Sequence, residues 1–108
     1  MKLTKMSNKA RNNKTGKSSH VISDNGIKFT LEYKPIAEGY NGQYIGNTFY
    51  VHLKYGEDND LIGDLYDNQD GTFSMWVDKH SKLVEGLTDV MHLERAYMDG
   101  NLTDNPIH

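Results

Sequence analysis

Cysteine is absent from all 108 residues. Its absence excludes a disulfide framework, a thiolate metal site and a cysteine nucleophile, and it suits a reducing compartment, so the cytosol is expected, or the host cytoplasm for a viral protein. Long apolar runs are missing too. The opening Met1-Lys2-Leu3-Thr4-Lys5-Met6 is basic with no apolar stretch behind it, which argues against a signal peptide, and nothing reaches membrane-spanning length. No membrane partner is expected. Without a secretion signal, the sequons at Asn13 and Asn101 read as chance.

The third absence is of acid: no Asp or Glu precedes Asp24. Lys2, Lys5, Lys9, Arg11, Lys14 and Lys17 give this leader a charge of +6, while the rest of the chain sets six bases against all 15 acids, for an overall −3. Residues 1–20 otherwise hold mostly Asn, Ser and Thr, with only Leu3, Met6 and Ala10 to bury, and predict a disordered basic N-terminal arm. Residues 21–108 predict a single domain with one modest core.

Within that domain the pattern is one of period two. Ile27, Phe29, Leu31 and Tyr33 alternate with polar residues up to Pro35, and Phe49, Val51, Leu53 and Tyr55 alternate with Tyr50, His52 and Lys54. The polar cluster 56–60 turns into Leu61–Tyr66, and Asp67–Gly71 turns into Thr72–Val77, where Phe73, Met75 and Val77 share a face. These runs predict an antiparallel meander. The connection Gly39–Gly46 contains an Asn-Gly turn signal and two tyrosines, Tyr40 and Tyr44, expected to cover the sheet edge. Leu83–Gly86 is compatible with either an edge strand or a linker. From Thr88, read as the N-cap, the period lengthens: Leu87, Val90, Met91, Leu93, Tyr97 and Met98 form one apolar helical face, stopped by Gly100. The expected fold class is α+β: a small antiparallel sheet of three to five strands packed by one C-terminal helix.

Four groups of residues invite a functional reading. The basic arm, with Lys5, Lys9, Arg11, Lys14 and Lys17, suits phosphate contacts that do not read sequence. The turns gather Asp58, Asp60, Asp64, Asp67 and Asp70, an array of fixed negative charge able to occupy a basic nucleic-acid groove on another protein. An EF-hand register fails, because aligning its glycine with Gly71 puts Tyr66 at the first ligand position and Val77 at the last, so no metal is expected. Trp76 should point away from the core beside Thr72 and Ser74, with Tyr66 across from it, as an aromatic contact pair. His52, His80 and His92 have no zinc-helix spacing, His92 is expected to face solvent, and no serine sits in a nucleophile elbow, so neither an enzyme nor a cofactor is expected.

The order of strands and helix, with Gly71-Thr72-Phe73-Ser74-Met75-Trp76-Val77 leading through Glu85-Gly86-Leu87-Thr88 to Glu94-Arg95-Ala96-Tyr97, resembles the AP2 and integrase arm-binding type of DNA reader over about half the chain. That resemblance implies arginines and aromatics on an exposed DNA-reading sheet face, whereas here Lys54 and Lys79 stand amid aspartates. The small, cysteine-free, Asn- and Tyr-rich make-up also resembles that of bacteriophage accessory proteins. The expectation is therefore a non-enzymatic module that binds, and inhibits, a protein with a basic nucleic-acid-binding surface, such as a phage-encoded anti-defence inhibitor. The alternative is an RNA- or DNA-associated protein that holds phosphates through its basic arm.

Overall fold

The computed structural model describes residues 1–14, 16–34, 47–55 and 58–102. It has an α+β fold in the element order α1 (Leu3–Asn12), β1 (Ser18–Ile22), β2 (Lys28–Lys34), β3 (Thr48–Tyr55), β4 (Asp58–Asp67), β5 (Phe73–Val77), β6 (Lys82–Leu87) and α2 (Met91–Asp99). The six strands form one antiparallel sheet in sequential order, so each strand pairs with its neighbours in the chain. A meander of this kind needs only short turns. Tyr40 and Tyr44 lie outside the described residues.

Register fixes which residues share a face. Phe29 pairs with Leu53 and Leu31 with Val51; Phe49 pairs with Leu65, Leu65 with Met75, and Met75 with Val84. All of these side chains are buried on one face of the sheet. The alternation expected for Phe29–Tyr33, Phe49–Leu53 and Phe73–Val77 is thus the observed core, and Leu83–Gly86 belongs to an edge strand. A bulge at Val51/His52 sets Leu61 opposite His52 and Gly63 opposite Val51, leaving Ile62 as the extra residue. Because of it Ile62 is buried while Leu61 is exposed.

The core face is closed by two helices instead of one. Leu93 and Ala96 of α2 are fully buried in it, as expected of the C-terminal helix. The other helix corrects the expected disordered arm: α1 buries Leu3, Met6 and Ala10 in the same core. Their spacing of three and four residues puts them on one side of a helix, which suffices once a sheet is there to receive them. Main-chain bonds fasten the chain start to the β6–α2 connection, with Leu3 donating to the Thr88 carbonyl at 3.0 Å and Val90 to that of Met1 at 3.0 Å. The Ser19 hydroxyl donates to the Met6 carbonyl at 2.7 Å and ties α1 to β1. The strand count rises above the expected three to five for the same reason, since Ser18–Ile22 pairs with β2 as an edge strand.

Two local expectations at α2 also change. The helix begins at Met91, and Thr88 does not cap it; the Asp89 carboxylate accepts from the Met91 amide at 3.2 Å instead. His92 does not simply face solvent, because its Nδ1 accepts from the amides of Thr88 at 3.0 Å and Asp89 at 3.2 Å. Among the described residues no helix is long and apolar enough to cross a membrane.

Candidate functional site

The helices lie on one side of the sheet, so the residues of opposite parity in each strand form a second face. One transverse row of this face follows from the register: Glu32 pairs with Tyr50, Tyr50 with Asp64, Asp64 with Trp76, and Trp76 with Leu83. The next row runs through Lys34, Thr48, Tyr66 and Ser74. Tyr66 and Trp76 are therefore diagonal neighbours across β4 and β5, within reach of one another's rings. Tyr50, Tyr66 and Trp76 are all half-buried. The Lys34 ammonium sits 5.1 Å from the Tyr50 ring centroid, and His52 Nε2 lies 3.1 Å from a Glu32 carboxylate oxygen.

Asp64 stands between Tyr50 and Trp76 in this row. Burial pushes its carboxyl above the ordinary range; Lys34 opposes that shift and Asp78 adds to it. The Tyr66 hydroxyl is also pushed up, first by burial and then by the negative charges of Asp64 and Asp78. The face is thus a largely polar surface in which Tyr50, Tyr66 and Trp76 stand around a carboxylate held at some desolvation cost. Thr48 and Ser74 on the same face are buried, and the Thr48 hydroxyl has no hydrogen-bond partner among the described residues.

The five candidate aspartates are spread along β4 and its turns and do not form one cluster. Asp58 and Asp60 are exposed at the start of the strand, Asp64 is at its middle, and Asp67 and Asp70 are at the far turn. The two ends are roughly 30 Å apart at the rise of an extended strand. At that far turn the carboxylates serve the backbone: Asp67 accepts from the Gln69 amide at 2.8 Å, and Asp70 from the Thr72 amide at 2.9 Å and hydroxyl at 2.6 Å. The Thr72 bonds hold the Asp70 carboxyl below its ordinary range. Among the described residues no group of three His, Asp or Glu side chains could hold a metal ion.

The basic residues of the leader are placed by α1. Lys2, Lys5 and Lys9 follow helical spacing and are exposed on its outer side. Arg11 donates to the Asn8 side chain at 2.7 Å, Lys17 donates to the Arg11 carbonyl at 3.2 Å, and Lys14 is exposed beyond the helix end. Two residues of the second face, Tyr50 and Lys34, carried no functional expectation from sequence. The signal was present in their parity, since the residues between core positions in β2 and β3 must share the side on which Trp76 lies. Compared with protein-family models, curated proteins and solved structures, the chain matches none.

Proposed function

We propose that the protein is a non-enzymatic interaction module that binds and inhibits a protein handling nucleic acid. The observation carrying this reading is the second sheet face, where Tyr50, Tyr66 and Trp76 surround Asp64 and the strand that bears it runs between exposed carboxylates, Asp58 and Asp60 at its start and Asp70 in the turn beyond its end. Aromatic centres and charged rims are the usual anatomy of a protein interface, the centre supplying affinity and the rim supplying steering and partner choice. A partner with a basic, nucleic-acid-binding surface complements the carboxylates of Asp58, Asp60, Asp67 and Asp70 at the two ends of β4, where Asp60 and Asp67 pair with the core residues Leu53 and Phe73 and so flank the aromatic face from the sheet's ends. In its concrete form the proposal is a phage-encoded inhibitor of a host nuclease or defence complex; the cysteine-free composition suits the host cytoplasm.

The test is capture of a protein partner from nuclease-treated lysate by the full chain, compared with two variants. Replacing Tyr66 and Trp76 by alanine should lower capture at all salt concentrations. Reversing Asp58, Asp60, Asp67 and Asp70 to lysine should lower it most at low salt, where steering counts. Circular-dichroism melts check that both variants fold. Capture that survives both sets of substitutions would sink the reading.

A second reading has its own observation. Lys2 just before α1 and Lys5 and Lys9 on it form a stripe of exposed cations with no acid on that helix, and such a stripe can hold phosphates directly. In that case the protein associates with RNA or DNA through the helix, and the sheet serves as its support.

A further inference from the structure

Large apolar side chains with about half or more of their surface exposed are few among the described residues: Met1, Ile22, Leu61, Met91 and Met98. All but Leu61 line one groove of about 570 Å³ between the β1–β2 turn and α2. Met91 and Met98 are seven residues apart, on the side of α2 turned away from Leu93 and Ala96, so the helix has a second apolar stripe beside the one it buries. The groove walls are held together by the Asn25 side-chain amide, which donates from the hairpin to the Glu94 carboxylate on α2. A single apolar residue on a surface needs no explanation, but four converging on one concavity mark a contact site.

Charge identifies the occupant. Asp24, Asp89, Glu94 and Asp99 line the groove, against Arg95 and the Met1 ammonium, which lies 3.7 Å from Asp89, as the cations among the described residues there. Arg95 also donates to the Leu102 carbonyl at 3.4 Å, and Asp89 accepts from the Met91 amide. Asp24 and Asp99 are exposed at the mouth. An apolar floor of flexible thioethers with carboxylates at its rim is complementary to a chain segment that is apolar on one side and basic on the other. We propose that this groove docks a short, positively charged amphipathic segment of a partner protein, with its apolar side chains against Ile22, Met91 and Met98 and its lysines or arginines at Asp24 and Asp99. The groove is separate from the second sheet face, so the two sites can be tested and can fail independently.

The experiment is an amide chemical-shift titration of the full chain with a synthetic amphipathic peptide of leucine and lysine, with a leucine and glutamate peptide of the same pattern as control. The leucine–lysine peptide should shift residues 21–25 and 90–99 in a saturable way, and the acidic peptide should shift neither segment. Replacing Met91 and Met98 by serine should weaken binding by about tenfold or more, as loss of central apolar anchors does. Replacing Asp24 and Asp99 by lysine should weaken it and flatten its salt dependence. These four positions are at the surface, and thermal melts check that the variants fold. Shifts centred on the Asp58–Asp70 strand, equal response to both peptides, or affinity unchanged in both variants would overturn the proposal. So would sedimentation showing a dimer that the methionine substitutions dissociate, because a second copy would then be the occupant.

Discussion

At position 63 a methyl group has nowhere to go. A Cβ there would lie 1.9 Å from the Trp76 carbonyl oxygen, so β4 and β5 approach closely next to Asp64 and Trp76 only because residue 63, on the core side of the sheet, is glycine. Gly63→Ala must separate those strands and should cost on the order of 3 kcal/mol, as substitutions that force backbone shifts in a core do. Urea denaturation reads this directly, and an unchanged midpoint would show that the strands can yield. Asp64 makes the opposite prediction. Its carboxyl is raised by burial, so the folded state disfavours the charged form. Below the ordinary value of 3.8 it is protonated in both folded and unfolded chains and exacts no penalty. The penalty builds as pH rises from that ordinary value through the raised folded one, and it is complete above the latter. Asp64→Asn should therefore raise the melting temperature near neutral pH and leave it little changed below the ordinary carboxylate range. An equal gain at both pH values would mean that the cause is packing and not charge.

Among the elements, α1 does most to change the picture. Leu3, Met6 and Ala10 are fully buried, and their removal with the rest of the leader would uncover the end of the sheet. The apolar burial lost is on the order of 5 kcal/mol, comparable with the whole stability of a small domain. A chain starting at Val21 also loses most of β1, and it should show collapsed amide dispersion and no cooperative unfolding transition. A truncated chain with native dispersion and a sharp melt would show that α1 is an accessory. The strands were legible in sequence because burial on one face writes period two directly into Phe29–Tyr33, Phe49–Leu53 and Phe73–Val77, and the same parity sends Trp76 outward. The helix was harder to read. Three apolar residues among lysines, asparagines, serines and threonines give a weak local signal, and only the waiting sheet face makes them decisive. β1 is hidden for a related reason: Ser18, Ser19 and His20 form a polar edge strand with little to bury, its pairing supplied by β2. In β4 the extra residue Ile62 breaks the alternation, so Asp60 pairs with the core residue Leu53 while Asp64 shares a face with Tyr50 and Trp76, a change of side that spacing alone does not reveal.

For the whole molecule, the consequence is a separation of two charged surfaces. Both helices cover the same face of the sheet, so the Lys2, Lys5 and Lys9 stripe looks away from Tyr50, Tyr66 and Trp76. A single flat partner cannot engage the two surfaces at once. Truncation cannot tell them apart either, because α1 is part of the core, whereas charge reversal in the full chain can. Replacing Lys2, Lys5 and Lys9 by glutamate lowers the formal net charge by six, from −3 to −9, without touching a buried side chain. If the sheet face is the effector, capture of a protein partner should persist in this variant, and the parent chain should show no saturable binding to a short single-stranded oligonucleotide. If the helix holds phosphates, the parent should bind the oligonucleotide with a log–log salt slope of about −2 for three phosphate contacts, and the variant should not bind. Loss of protein capture together with measurable oligonucleotide binding by the parent would assign the function to the helix and leave the aromatic face as support.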